Sequence, residues 1–147
     1  MEPRPTPAPD PFGGTLTITD RLWHIHVRNV ARLVQKTMIV AGCNAEIVLT
    51  DDRTLKRLNF AARGKNKPTN VLTYENPPEI ILASGTVLRE ARQAGRTPAA
   101  HLTHLLIHGA LHLAGHDHHH AGDARKMEHS ETKLLARLGV KNPWKNQ

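Results

Sequence analysis

Six histidines stand within the thirteen residues of the segment HGALHLAGHDHHH, residues 108–120. His108 and His112 are four residues apart, so on a helix they lie on one face, one turn apart. A third histidine six residues later reaches the same point only if the helix ends in between. Gly115 can adopt the left-handed conformation that ends helices, which would let His118 turn back. This spacing predicts a three-histidine site with an open coordination position, typical of catalytic zinc.

Other interpretations of this segment stay open. His108 and His112 could be core histidines followed by a solvated loop, although the whole pattern favours metal binding. Zinc proteases of the H-E-x-x-H type need a glutamate where this chain has Gly109, so the protease interpretation lacks its general base. Asp117 could accept a ring N–H from a ligand or could cap the helix end. The remaining histidines of the segment have no geometric argument, and we expect only adventitious metal binding from them: His116, His119 and His120.

The preceding sequence predicts the elements that position this segment. Alternating or β-rich runs predict four strands, at GTLTITD, CNAEIVLTDD, NVLTYE and EIILAS. Helices are predicted after the first strand, over 51–64, over 86–95 and from about 122 to 138. The helix that carries the histidines opens with Thr97 as N-cap and Pro98 at its first position. Strands alternating with helices predict an α/β (α+β) class with about five helices, one of them a buried metal-binding helix.

Composition bounds the organisation and the partners. The chain has 147 residues, which suits one domain over 15–147, and residues 1–14 are proline-rich and predict a disordered arm. The net charge of +7 favours a polyanionic partner such as nucleic acid, although solubility alone also explains excess charge. Cys43 is the only cysteine and no long apolar stretch is present, so we expect a reducing cytoplasm and no membrane partner.

Two blocks of sequence resemble one known family. The residues from His108 to His118 match the signature H-G-x-L-H-L-x-G-x-D-H of the YbeY family of bacterial endoribonucleases. The segment LNFAARGKNKPTNVLTY, Leu58 to Tyr74, resembles the other characteristic segment of that family. The resemblance implies a single domain with a small mixed four-stranded sheet, one Zn²⁺ per chain, and cleavage of single-stranded RNA in the cytoplasm. It further implies maturation of the 16S ribosomal RNA 3′ end, with a role in ribosome quality control.

The resemblance also implies roles for basic residues and partners. Arg63 matches the functional arginine of the family, and a guanidinium can clamp a phosphate through two hydrogen bonds. Nearby cations would follow an RNA backbone, and we expect this role of Arg57, Lys65 and Lys67. The implied partners are the small ribosomal subunit, one of its proteins and an Era-type GTPase, and we expect no DNA. Glu128 and Glu131 match acidic positions of the family, although ordinary surface or packing duty explains them.

The chain departs from the family pattern at the cleft rim, and two other functions compete. The segment TYENPPEII is shorter than the family's loop, and His116 replaces the usual tyrosine. A zinc hydrolase of peptides or small molecules is one competing function, which the missing glutamate disfavours. The other is a ribosome assembly or RNA-binding factor in which zinc is structural.

Overall fold

The computed structural model describes residues 12–63, 70–115 and 121–141. Within them the chain forms four strands: β1 (Leu16–Ile18), β2 (Glu46–Thr50), β3 (Val71–Glu75) and β4 (Pro78–Ala83). The same ranges contain six helices: α1 (Leu22–His26), α2 (Val30–Ala41), α3 (Asp52–Arg63), α4 (Ser84–Gln93), α5 (Pro98–Leu113) and α6 (Ala121–Arg137). None of the helices in these ranges is long and apolar enough to cross a bilayer.

The four strands make one mixed sheet in the order β1-β2-β4-β3. β1 pairs with β2 and β2 with β4 in parallel, whereas β3 pairs with β4 as an antiparallel edge strand. The predicted fold class and mixed four-stranded sheet are therefore confirmed. One helix more than expected arises because the first predicted helix is interrupted before Val30, where Asn29 has a φ of 49°. A non-glycine residue with positive φ turns the chain and cannot continue a right-handed helix.

The two faces of the sheet carry different helices. Neighbouring residues of a strand point to opposite faces, and β4 shows this alternation. Ile80 and Leu82 pack in the main core with leucines of α5 and with Val34 and Met38 of α2. Ile81 packs in a smaller cluster with Leu55 of α3. α2 and α5 therefore cover one face, and α3 covers the other.

Three residues assigned to the predicted N-terminal arm pack against the domain. Phe12 is buried in the main core, and the backbone N–H of Gly13 donates to Asn44 Oδ1 at 3.1 Å. A Cβ on Gly14 would lie 2.2 Å from the backbone oxygen of Ala45, so glycine is required for this approach. The arm boundary at residue 14 is thus corrected, because proline composition does not register a single aromatic anchor. Residues 1–11 of the predicted arm lie outside the described ranges.

A third apolar cluster fixes α6 against α5. Ile107 and Leu111 of α5 are buried with Met127 and Leu135 of α6. Met127 and Leu135 are eight residues apart, so they lie on one stripe of α6. Residue 131 lies between them on the same stripe and therefore faces α5.

Candidate active site

The histidine helix begins and ends where its sequence predicts. Thr97 Oγ1 accepts a hydrogen bond from the Ala100 backbone N–H at 3.1 Å, and Pro98 occupies the first turn. α5 ends at Leu113, and Gly115 then takes a φ of 95°. The predicted N-cap and the predicted helix break at Gly115 are both confirmed. The chain can therefore change direction immediately after the second histidine of the pair.

The two histidines of the pair converge through their ring nitrogens. His108 Nε2 lies 3.0 Å from His112 Nε2, and the rings meet edge to face at a centroid distance of 4.6 Å. Two imidazole nitrogens on one tetrahedral zinc ion lie about 3.4 Å apart, from Zn–N bonds of about 2.0–2.1 Å. The pair therefore fits two positions of a zinc coordination sphere with a shift of a few tenths of an ångström.

The other predicted members of this site are not described by the structure. His118, the expected third ligand, and Asp117 both lie within 116–120, outside the described ranges, as do His116, His119 and His120. Among the residues that are described, no group of three or more histidine, cysteine or acidic side chains could hold a metal ion. The three-histidine zinc site therefore stays a prediction.

A buried glutamate of α6 stands behind the histidine pair. Glu131 is 1% exposed, and its Oε1 contacts His108 Nδ1 while its Oε2 lies 3.2 Å from His104 Nε2. Burial works to raise the pKa of the Glu131 carboxyl, but hydrogen bonds from His104 and His108 outweigh it and lower the pKa to about 2. Glu131 is therefore a carboxylate at neutral pH and accepts from both rings.

Further polar contacts extend along α5 toward its start. Arg96 Nη1 lies 3.2 Å from His104 Nδ1. One turn earlier, His101 Nε2 lies 3.2 Å from Glu90 Oε1, and Asn70 Nδ2 donates to the other oxygen of Glu90 at 3.3 Å. Despite the opposing hydrogen bond to Glu90, burial lowers the pKa of His101, which favours the neutral ring. Asn70, next to the edge strand β3, is thereby tied to the histidine helix through α4.

Of the basic residues expected to bind RNA, Arg57 is the one whose side chain the structure describes. Arg57 is exposed on α3, which covers the sheet face opposite α5, so the structure does not place it beside the histidines. Arg63 is the last residue of α3, and its side chain is outside the described part. Lys65 and Lys67 belong to residues 64–69, also outside it. That segment connects α3 to β3, the edge strand that contacts α5.

The position of Gly109 bears on the protease alternative. Its backbone faces the sheet, and a Cβ built there lies 3.1 Å from Ile80 Cγ2 and 3.3 Å from Val71 Cγ1. A glutamate at this position would point into the apolar core and away from the histidine pair. A glutamate at position 109 is therefore incompatible with this close packing of α5 on the sheet.

Glu131 and Arg96 were missed as site residues in the sequence. In the sequence, an ordinary surface or packing role explains Glu131, whereas the structure brings both of its oxygens to histidines of α5. A signal for this was available, because residue 131 is in phase with the buried Met127 and Leu135. Arg96 has no comparable signal, since its partner is recognised only once α5 is built.

The sequence of this chain is similar to those of known proteins. The family model described as endoribonuclease YbeY matches residues 15–139. The chain belongs to the YbeY family. Endoribonuclease YbeY of Gluconobacter oxydans is 42% identical over 161 aligned positions, which cover 99% of this chain and 93% of that protein. Endoribonuclease YbeY of Sinorhizobium medicae is 39% identical over 127 positions, covering 78% of this chain and 76% of that protein. The resemblance read from the two sequence blocks is thus confirmed.

A solved structure also resembles this member of the YbeY family. The solution structure of a Thermotoga maritima protein aligns with a TM-score of 0.48 at 23% sequence identity. The alignment covers 85% of this chain and 92% of that one.

Proposed function

We propose that this chain is a zinc-dependent endoribonuclease that cuts single-stranded RNA, with His108, His112 and His118 as the zinc ligands. The observation that carries the proposal is the approach of His108 Nε2 to His112 Nε2 in a chain of the YbeY family. Zinc, when bound, supplies a Lewis acid for a phosphoryl oxygen and lowers the pKa of a coordinated water. One ion per chain is expected.

The remaining steps fall to residues of the chain itself. Arg63 binds the scissile phosphate and neutralises charge that develops on it, as a guanidinium can through two parallel hydrogen bonds. Asp117 either accepts a ring N–H from a zinc ligand or caps the turn after α5. Arg57, Lys65 and Lys67 contact the RNA backbone. Arg57 lies on the opposite face of the sheet from α5. An RNA strand that contacts both Arg57 and the histidine pair would therefore have to pass around the edge of the sheet at β3.

The proposed substrate is the 3′ end of the 16S ribosomal RNA precursor, within ribosome maturation and quality control in the cytoplasm. Support comes from the endoribonuclease activity for which the Gluconobacter oxydans relative is named, and from the net charge of +7, which favours a polyanion. A small-subunit ribosomal protein and an Era-type GTPase are the proposed protein partners.

The test compares zinc content and RNA cleavage in the wild-type chain and two variants, His112→Ala and Arg63→Glu. Arg21→Glu, at the exposed N-cap position before α1, is the matched charge-reversal control. Each protein is checked for folding by circular dichroism and freed of loosely bound metal before analysis. The expected result is one tightly held zinc per wild-type chain, and cleavage of a 16S 3′-end precursor that is lost in both variants and kept in the control.

Two other results would contradict this function. Equal cleavage by all four proteins identifies a contaminating nuclease. Binding of RNA or of small subunits that survives His112→Ala, with no cleavage by the wild type, favours the assembly-factor function. Loss of zinc in Arg63→Glu would show that Arg63 acts on the ligands and not on the phosphate.

A further inference from the structure

Arg96, His104, Glu131 and His108 form one continuous series of polar contacts behind the histidine pair. Arg96 Nη1 meets His104 Nδ1 at 3.2 Å, and His104 Nε2 meets Glu131 Oε2 at 3.2 Å. The other oxygen of Glu131 contacts His108 Nδ1. The series joins the segment before α5, two turns of α5 and the middle of α6.

The direction of each hydrogen bond in this series follows from two members, a guanidinium that only donates and a carboxylate that only accepts. A guanidinium only donates, so Arg96 donates to His104 Nδ1, which must then be unprotonated. His104 accordingly carries its proton on Nε2 and donates it to Glu131. A carboxylate only accepts, so the second oxygen of Glu131 receives the proton of His108 Nδ1.

These hydrogen bonds determine the protonation of His108 Nε2, the nitrogen that faces the proposed ion. With its proton on Nδ1, neutral His108 presents an unprotonated Nε2, and this is the atom 3.0 Å from His112 Nε2. Without an ion His112 donates to that nitrogen, and an ion takes the place of the proton. The tautomer that zinc requires of His108 is therefore already present in the protein.

We infer that Glu131, oriented by Arg96 and His104, is a positioning residue that fixes the metal-binding tautomer of His108. The inference rests on the proposed function only in taking zinc as the ligand of the histidine pair. A mere tie between α5 and α6 would not need a carboxylate, because the apolar cluster of Ile107, Leu111, Met127 and Leu135 already joins the two helices. Burying a carboxylate at 1% exposure is costly unless both oxygens are paired, and here both are.

Glu131→Gln tests the inference because a carboxamide of the same size has only one accepting oxygen. Arg96 keeps His104 as a donor, so the amide oxygen turns to His104 and the NH₂ group faces His108 Nδ1. His108 must then accept at Nδ1 and hold its proton on Nε2, the wrong nitrogen for zinc. Glu128→Gln removes the same charge from an exposed position of the same helix and serves as the matched control.

Two readouts that do not depend on RNA cleavage are measured on the full chain. Long-range ¹H–¹⁵N NMR of the metal-free protein reports which ring nitrogen of His108 is protonated. We expect the Nδ1–H form in the wild type and in Glu128→Gln, and the Nε2–H form in Glu131→Gln. Competition with a chromophoric chelator gives the zinc affinity, which we expect to fall about 10- to 100-fold in Glu131→Gln only.

The outcomes separate this inference from the proposed function. A folded Glu131→Gln chain that keeps the Nδ1–H form and the zinc affinity of the control overturns the inference, whatever happens to cleavage. A wild type that does not cut RNA, with zinc affinity reduced only in Glu131→Gln, overturns the function and supports the inference. If Glu131→Gln does not fold, Glu131→Asp replaces it. The shorter side chain withdraws the carboxylate from His108 Nδ1, so the Nδ1–H form should lose its partner and zinc binding should weaken. A Glu131→Asp chain with the His108 tautomer and the zinc affinity of Glu128→Gln overturns the inference.

Discussion

Gly109 offers a direct test of how closely the histidine helix packs on the sheet. It is buried in α5, next to His108, and a Cβ at this position lies 3.1 and 3.2 Å from Ile80 Cγ2 and Cδ1 and 3.3 Å from Val71 Cγ1. All three distances are a few tenths of an ångström shorter than ordinary van der Waals contact. Gly122 in α6 is the matched control, because a Cβ there meets nothing within 4 Å.

The two opposing effects of Gly109→Ala are of similar size. Alanine stabilises a helix interior by about 1 kcal/mol relative to glycine. Added methyl groups in a well-packed core cost about 1–3 kcal/mol, since neighbours must leave their preferred positions. The contacts here are side-chain ends that can give a little, so we expect a net destabilisation of about 0–2 kcal/mol. At this chain length, each kcal/mol corresponds to a Tm change of about 2–4 °C.

Gly109→Glu carries the same reasoning to the protease alternative. The carboxyl would enter an apolar region formed by Ile80 and Val71, where an unpaired charge costs about 3–5 kcal/mol or is neutralised by protonation. We expect severe destabilisation and no gain of peptide hydrolysis.

Urea unfolding followed by circular dichroism measures the free energy of unfolding of all three variants. Gly122→Ala, at the second residue of α6, should be neutral or stabilising by up to about 1 kcal/mol. A Gly109→Ala variant that is as much stabilised as this control would refute the close packing of α5 on β3 and β4. A Gly109→Glu variant with wild-type stability would refute the placement of this position in the core.

Three further predictions concern the elements around the site. Thr97→Ala should lower the free energy of unfolding by about 1 kcal/mol through loss of the α5 N-cap, whereas Thr97→Ser should preserve it; equal stability of both variants would contradict the cap. Partial burial works to raise the pKa of Asp52, yet hydrogen bonds from the start of α4 and from Arg89 lower it below 3.8. Asp52→Asn should therefore lower the free energy of unfolding by about 1 kcal/mol at pH 6, after allowance for the exposure of Asp52. This difference from wild type should shrink as the pH falls below 3.8, because the carboxylate is then protonated. A difference in unfolding free energy that is constant with pH would contradict the pairing. Trp23 Nε1 donates to the Thr50 backbone oxygen at 3.0 Å. Trp23→Phe leaves that oxygen without this donor and should destabilise the fold by about 1–3 kcal/mol, measured by thermal unfolding. An unchanged Tm would contradict this prediction.

The predictions that succeeded rest on local signals. Apolar alternation located the strands, and Thr97 and Gly115 located the limits of α5, because caps and helix breaks depend on a few neighbouring residues. The split between α1 and α2 was not predicted, because Val27, Val30 and Val34 keep helical spacing across it. Asn29 takes a left-handed conformation there that hydrophobic periodicity does not encode.

Glu131 shows why sequence motifs indicate some residues of a site and not others. His108 and His112 were found because four-residue spacing on one helix is itself a geometric statement. The role of Glu131 depends on partners 23 and 27 residues away in sequence, and only packing of α6 on α5 specifies them. What sequence could offer was an acidic residue on an otherwise apolar stripe, which indicates burial but not a partner.

The contacts of Glu131 make the chemistry of the site depend on helix packing. Its two oxygens reach two histidines four residues apart, so one carboxylate spans a single turn of α5. This correspondence holds only while Met127 and Leu135, on either side of Glu131, keep α6 in register with Ile107 and Leu111. A shift of α6 by one residue would move Glu131 by about 1.5 Å along the axis and rotate it by about 100° away from α5. The apolar cluster therefore determines the hydrogen bonding of the histidine pair, although its own side chains are apolar and make no hydrogen bonds.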